Sequence, residues 1–133
     1  MDNKRVYLGL DVGTRRIGVA LGDSIGRIAH PVSTVQVDGS EAGQLKILLQ
    51  DNDVTDIVVG RPRNQSGETT RQTQLVEEFA DAVLSQFGLP IHWQDESVTS
   101  VVAEERLKSH KRPYSKGDID AEAASIILQD FLG

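Results

Sequence analysis

The run Asp56-Ile57-Val58-Val59-Gly60 constrains the fold more than any other stretch of the chain. It is short, almost wholly apolar and preceded by a segment of helical periodicity, which is the pattern of a parallel strand covered on both faces. A strand of that kind needs helices above and below it, so an α/β architecture is expected. The 133 residues leave room for one domain, spanning 1–133. Val, Ile, Leu and Phe make up 38 of them, enough for a packed core.

Around that strand the other elements can be read in order. Residues 6–10 and 17–21 are apolar runs joined by Asp11-Val12-Gly13-Thr14-Arg15-Arg16, an antiparallel hairpin in which Gly13 is free to take the positive φ of a tight turn. Residues 29–37 carry alternating β-branched side chains and suit a third strand, with Pro31 near its start. Ser40 is expected to cap a helix over 41–50, whose Ala42, Leu45, Leu48 and Leu49 share a face. Past the apolar strand, residues 69–72 fit a capping box, and Leu75, Val76, Phe79, Val83 and Phe87 form a stripe that stops at Gly88. Residues 91–95 predict a fifth strand, 100–107 a helix, 108–117 a basic loop and 119–132 a final helix with Ile119, Ala123, Ile126, Ile127 and Phe131 toward the core. The order βββ-α-β-α-β-α-α gives a five-stranded mixed sheet, three antiparallel strands then two parallel, flanked by helices.

Charge and composition narrow the function. Fourteen Lys and Arg against 20 Asp and Glu leave a net charge of -6, which excludes a grip on nucleic acid through overall positive charge. An anionic partner must meet a local basic patch or bound cations. The absence of cysteine excludes disulfides, thiolate zinc sites and a cysteine nucleophile. His30, His92 and His110 have no metal-ligand spacing, and Thr99 or Ser100 reads as a helix cap. With no signal segment and no apolar stretch of membrane-spanning length, a cytoplasmic protein without a membrane partner is expected.

The acids stand where chemistry would be placed. In a sheet with parallel strands the C-terminal strand ends gather at one edge, where open α/β sheets put their sites. Asp11 ends the first strand, Asp95 with Glu96 end the fifth, and Asp120 stands in the first turn of the last helix. Converging carboxylates repel and lose hydration, so they call for a cation between them. Oxygen ligands alone suit Mg²⁺ or Mn²⁺, and two such ions can drive an in-line phosphoryl displacement. Each acid also has a plain structural reading: Asp11 opening a turn, Glu96 a solvated strand end, and Asp120 complementing the helix dipole beside Asp118 and Glu122. Gly9, Gly13, Gly18, Gly22 and Gly60 either admit a phosphate backbone or serve turns and packing. Arg15 and Arg16 in the hairpin, Arg61 and Arg63 after the fourth strand, and Lys108, Lys111, Arg112 and Lys116 in the basic loop are candidate nucleic-acid contacts, with Tyr114 placed to stack on an unpaired base.

Four segments carry a more specific pattern. They are Leu8-Gly9-Leu10-Asp11-Val12-Gly13-Thr14-Arg15-Arg16-Ile17-Gly18-Val19-Ala20; Val58-Val59-Gly60-Arg61-Pro62; Asp95-Glu96 followed by Thr99 and Ala103; and Ile119-Asp120 followed by Ala123-Ala124 and Ile127-Leu128-Gln129. Together they closely resemble the bacterial YqgF family, also called RuvX, collinearly over almost the whole chain. The resemblance implies a ribonuclease H-like fold and a divalent-metal-dependent nuclease whose acidic triad falls on Asp11, Glu96 and Asp120. It implies RNA as the partner, in particular the 5′ end of pre-16S rRNA during ribosome biogenesis, with ribosome association and a monomer or homodimer both compatible. The chain departs from the family pattern at Ser97, where an arginine is usual, and at Arg61, where leucine is frequent. A Holliday junction resolvase acting on branched DNA and a non-catalytic RNA-binding assembly or transcription factor are the competing expectations. An actin-like ATPase or sugar kinase, suggested by the Asp-x-Gly hairpin, would need two such domains.

Overall fold

The computed structural model describes residues 4–62, 70–96, 99–110 and 113–133, and for residues 96 and 99–101 the backbone alone. The chain runs β1 (Val6–Val12), β2 (Arg16–Asp23), β3 (His30–Gln36), α1 (Glu41–Asp51), β4 (Asp56–Pro62), α2 (Arg71–Ala82), a short 3-10 turn (Leu84–Phe87), β5 (Ile91–Glu96), α3 (Thr99–Ser109) and α4 (Lys116–Leu132). Their order in the sheet is β3-β2-β1-β4-β5, with β1 to β3 antiparallel and β1, β4 and β5 parallel. The mixed sheet expected from the sequence is the one formed.

Strand alternation divides the core into two layers. Leu8, Leu10, Ile17, Val19, Ile57 and Val59 point to one face and pack with Leu45 and Leu49 of α1 and Val76 and Ala80 of α2. Ala20 and Val58 point to the other, against Ala124, Ile127, Leu128 and Leu132 of α4. Both faces of β4 are therefore covered, which is why its sequence shows no polar alternation. α3 lies on α4, where Ala103 is buried and Arg106 reaches Glu122 at 3.3 Å. α4 is thus held between the sheet and α3, and its buried apolar set is Ala121, Ala123, Ala124, Ile127, Leu128 and Leu132, shifted from the stripe that periodicity alone suggested.

Several boundaries differ from the sequence expectation, each for a local reason. β1 continues through Asp11 to Val12, so Asp11 is a strand residue and the turn is confined to Gly13–Arg16, closed by Gly13 N–H donating to Arg16 O at 3.0 Å. Gly13 does not use a positive φ; a Cβ there would stand 2.8 Å from Arg16 O, so close approach is what requires glycine. Ser40 makes no capping bond: its hydroxyl donates to Asp38 Oδ1 at 2.5 Å and accepts from Gln44 Nε2 at 2.6 Å. The capping box is Thr70 with Thr73, one residue later than expected, and Thr69 lies outside the described residues. The stripe after it does end at Gly88, in the left-handed conformation at φ 69°. The expected basic loop is shorter, because Lys108 belongs to α3 and Lys116 and Gly117 to α4. α4 starts early because Ser115 and Asp118 form its capping box. Asp120 consequently falls in the second turn, and the dipole-complementing acid of the first turn is Asp118.

Candidate active site

Asp11 lies one residue before the end of β1 and points to the α4 side, since Leu8, Leu10 and Val12 alternate into the opposite layer. Its antiparallel partner on β2 is Gly18. A Cβ on Gly18 would stand 1.8 Å from the carbonyl oxygen of Asp120 and 2.9 Å from the amide nitrogen of Ala121. Only a residue with no side chain lets α4 descend that far, and the descent brings Asp120 over the β1–β2 pair. Gly60 and Gly9 extend the same seat: a Cβ would meet Ile127 Cδ1 at 2.5 Å and Leu128 Cβ at 2.8 Å respectively. The space at these three glycines is filled by the helix, so they do not serve a phosphate backbone.

The electrostatics follow from this packing. The Asp11 carboxyl is pushed up to about 6, chiefly by burial and further by the charge of Asp120. Arg16 precedes Gly18 by two residues, on the same face of β2, and its Nε donates to Asp120 Oδ2 at 2.5 Å. A half-buried carboxyl, a second carboxylate and a guanidinium therefore surround one glycine.

Oxygen donors alone, one of them with its ionised form disfavoured, match what a hard divalent ion takes. Asp11 and Asp120 are the side chains that could hold such an ion here. Among the described residues no three His, Cys, Asp or Glu side chains form a metal cluster. Glu96 closes β5 opposite Pro62, at the same C-terminal sheet edge, and its side chain is outside the described residues. When bound, a divalent ion supplies Lewis acidity that activates water and offsets charge on a phosphoryl oxygen. The protein's part is to fix two carboxylates over a rigid strand pair.

The expected basic contacts fare unequally. Arg15 is exposed in the hairpin turn, and its carbonyl accepts the Val37 N–H at 2.9 Å. Arg61 faces away from α4: its Nη2 lies 3.0 Å from Glu77 Oε1, and the guanidinium sits 4.7 Å over the Trp93 ring. That orientation follows from Gly60 occupying the α4 face. Lys108 is exposed on α3, 3.9 Å from Glu104 Oε1, and Lys116 is exposed at the start of α4. Arg63, Lys111 and Arg112, with Ser97, lie outside the described residues. Beside the acids, a groove of about 600 Å³ runs between β3 and the α3–α4 connection, lined in part by Thr34, His110, Tyr114 and Asp118. Tyr114 is oriented in it by donating to Glu104 Oε1 at 3.1 Å, and Thr34 Oγ1 donates to the Gly117 carbonyl at 2.8 Å.

Sequence reasoning missed two features. One is Arg16 as the partner of Asp120; the signal available was its spacing from Gly18, two residues and hence one strand face. The other is buried Asp56 at the start of β4, bound by Arg5 Nη2 at 2.6 Å, His92 Nε2 at 2.8 Å and the Thr55 hydroxyl at 2.6 Å. There the signal was a lone acid leading an apolar run.

A mixed five-stranded sheet in the order β3-β2-β1-β4-β5, with its last helix packed across one face, is a ribonuclease H-like fold. The fold is shared with Thermus thermophilus RuvC in complex with a Holliday junction substrate, at TM-score 0.55 and 14% identity over 92% of this chain and 91% of that one. A yeast mitochondrial Holliday junction resolvase matches at TM-score 0.51 and 13% identity over 95% and 77%. In sequence, the RuvX family, described as Holliday junction resolvase, matches residues 5–133. A relative from Chloroflexus aurantiacus is 42% identical over 134 residues, covering 98% of this chain and 88% of its own. One from Synechocystis sp. is 43% identical over 136 residues, covering 99% and 90%. Both are named "Putative pre-16S rRNA nuclease". The chain belongs to the RuvX family, and is a nuclease, a hydrolase of ester bonds.

Proposed function

We propose that this nuclease is divalent-metal dependent and cuts phosphodiester bonds in structured RNA, processing the 5′ end of pre-16S rRNA in the cytoplasm. The observation that supports this best is the meeting of Asp11 and Asp120 over Gly18, with the Asp11 carboxyl pushed up to about 6. Such a pair is poised for Mg²⁺ or Mn²⁺, and Glu96 at the end of β5, the strand beyond β4, is the third ligand in this reading. Arg15 in the β1–β2 turn and Lys116 at the start of α4 are the strand-holding cations in this reading, with Lys108, Lys111 and Arg112 in the preceding segment of sequence and Arg63 after β4. Arg61, paired with Glu77, is left to support β4 and β5. Among the described residues no helix is long and apolar enough to cross a membrane.

The test is cleavage of a 5′-extended 16S rRNA fragment by the purified chain in Mn²⁺ or Mg²⁺, with a four-way DNA junction as the comparison substrate. Asp11→Asn should lower the cleavage rate by about 100-fold or more, the scale expected when an electrostatic group of the transition state is lost. Equal cleavage by that variant overturns the reading. Preference for the junction would transfer the same chemistry to branched DNA. RNA binding that survives EDTA, with no cleavage at any ion concentration, would mark a binding factor instead.

A further inference from the structure

We propose that Arg16 is a built-in counter-ion that competes with the divalent metal for Asp120, so that ion entry requires the guanidinium to leave the carboxylate. The inference rests on the proposed metal site and concerns how that site is kept before it is loaded. Arg16 Nε stands 2.5 Å from Asp120 Oδ2, a charge-assisted hydrogen bond with both side chains only partly exposed, 29% and 23%. A cation that takes this Asp120 oxygen must displace the guanidinium from it.

The placement follows from the backbone. Arg16 and Gly18 share one face of β2, Gly18 pairs with Asp11, and the Asp120 carbonyl rests on Gly18. Asp120 is thereby flanked by Asp11 and by Arg16. Without a metal, Arg16 offsets the charge of Asp120, one of the two carboxylates. A doubly charged ion offsets both. It binds more weakly than to two unencumbered carboxylates, because the Arg16–Asp120 bond is lost on loading. The released guanidinium, fixed near the ion by β2, is then free to meet a phosphate.

The experiment titrates Mn²⁺ alone into the full chain by calorimetry, for the wild type, Arg16→Gln, Arg16→Lys and Asp11→Asn. Arg16→Gln should bind Mn²⁺ about 5- to 30-fold more tightly, as expected for removing one charged hydrogen bond from the metal-free state. Arg16→Lys should fall between, and Asp11→Asn should weaken binding. A residue that only stabilised the fold would not tighten metal binding when removed. Should Arg16→Gln not fold, the wild type still gives an answer: the Arg16 Nε–H resonance, assigned by its loss in Arg16→Lys, should move on saturation with Mg²⁺. Unchanged or weaker Mn²⁺ affinity in Arg16→Gln, or a resonance indifferent to Mg²⁺, overturns the inference while Asp11-dependent binding keeps the metal site. Mn²⁺ binding that ignores Asp11 in every variant overturns the site and the inference together.

Discussion

At pH 7 the Asp11 carboxyl, pushed up to about 6 by burial and by Asp120, is ionised at a cost carried by the metal-free fold. The sign follows from proton linkage. A carboxyl near 3.8 in the unfolded chain and about 6 in the folded one binds more protons when folded, so its contribution to stability is fullest below 3.8 and is lost as pH rises through 6. Above that range the penalty is on the order of 3 kcal/mol. Asp11→Asn removes it. Thermal unfolding in EDTA should therefore show the variant more stable than the wild type at pH 8, with the gap closing toward pH 5. Excess Mg²⁺ should stabilise the wild type at pH 8 and do little for Asp11→Asn. A gap that is constant with pH would mean that Asp11 is not the group carrying the charge cost.

At the scale of elements, α4 and the glycines beneath it decide whether a site exists. A Cβ at Gly18 would overlap main-chain atoms of Asp120, which cannot rotate aside, whereas one at Gly60 meets the flexible end of Ile127. Gly18→Ala should cost about 3 kcal/mol or more and abolish metal binding. Gly60→Ala should cost about 1 kcal/mol and leave binding intact. Urea midpoints with Mn²⁺ titrations on the folded fraction distinguish the two. This contrast also shows what a sequence can disclose. The strands were legible because burial on one or both faces imposes period two or an unbroken apolar run, as at Val58 and Val59. Asp11 and Asp120 were legible as acids near strand and helix ends. That Gly18 seats Asp120, that Arg16 holds it and that Arg61 turns to Glu77 were not, because these contacts join distant segments and depend on how α4 and α2 dock. Local periodicity says which residues share a face and is silent on what lies across from them.

Over the whole molecule, the parallel strands β1, β4 and β5 separate two polar clusters along their length. Toward the C-terminal end of β1 lies Asp11, with Asp120 of α4 over its partner Gly18; at the start of β4 sits Asp56 with Arg5, His92 and Thr55, beside the Tyr7, His92 and Phe131 rings. Burial alone would raise the Asp56 carboxyl, but the bonds from His92 and Thr55 and the charge of Arg5 outweigh it and hold the group below its ordinary value. The linkage is then opposite to that of Asp11: stability from Asp56 is present above 3.8 and is lost as pH falls through the lower folded value. Clusters with no shared partner are energetically independent to within a few tenths of a kcal/mol. Asp56→Asn should therefore lower stability at pH 7 by about 1 to 3 kcal/mol and shed the wild type's extra loss of stability below pH 4, while Mn²⁺ affinity stays as it was. Urea unfolding from pH 2.5 to 7 and a Mn²⁺ titration at pH 7 measure both arms. A change in Mn²⁺ affinity would mean that the two ends of the sheet are coupled, and that Asp56 belongs to the function as well as to the fold.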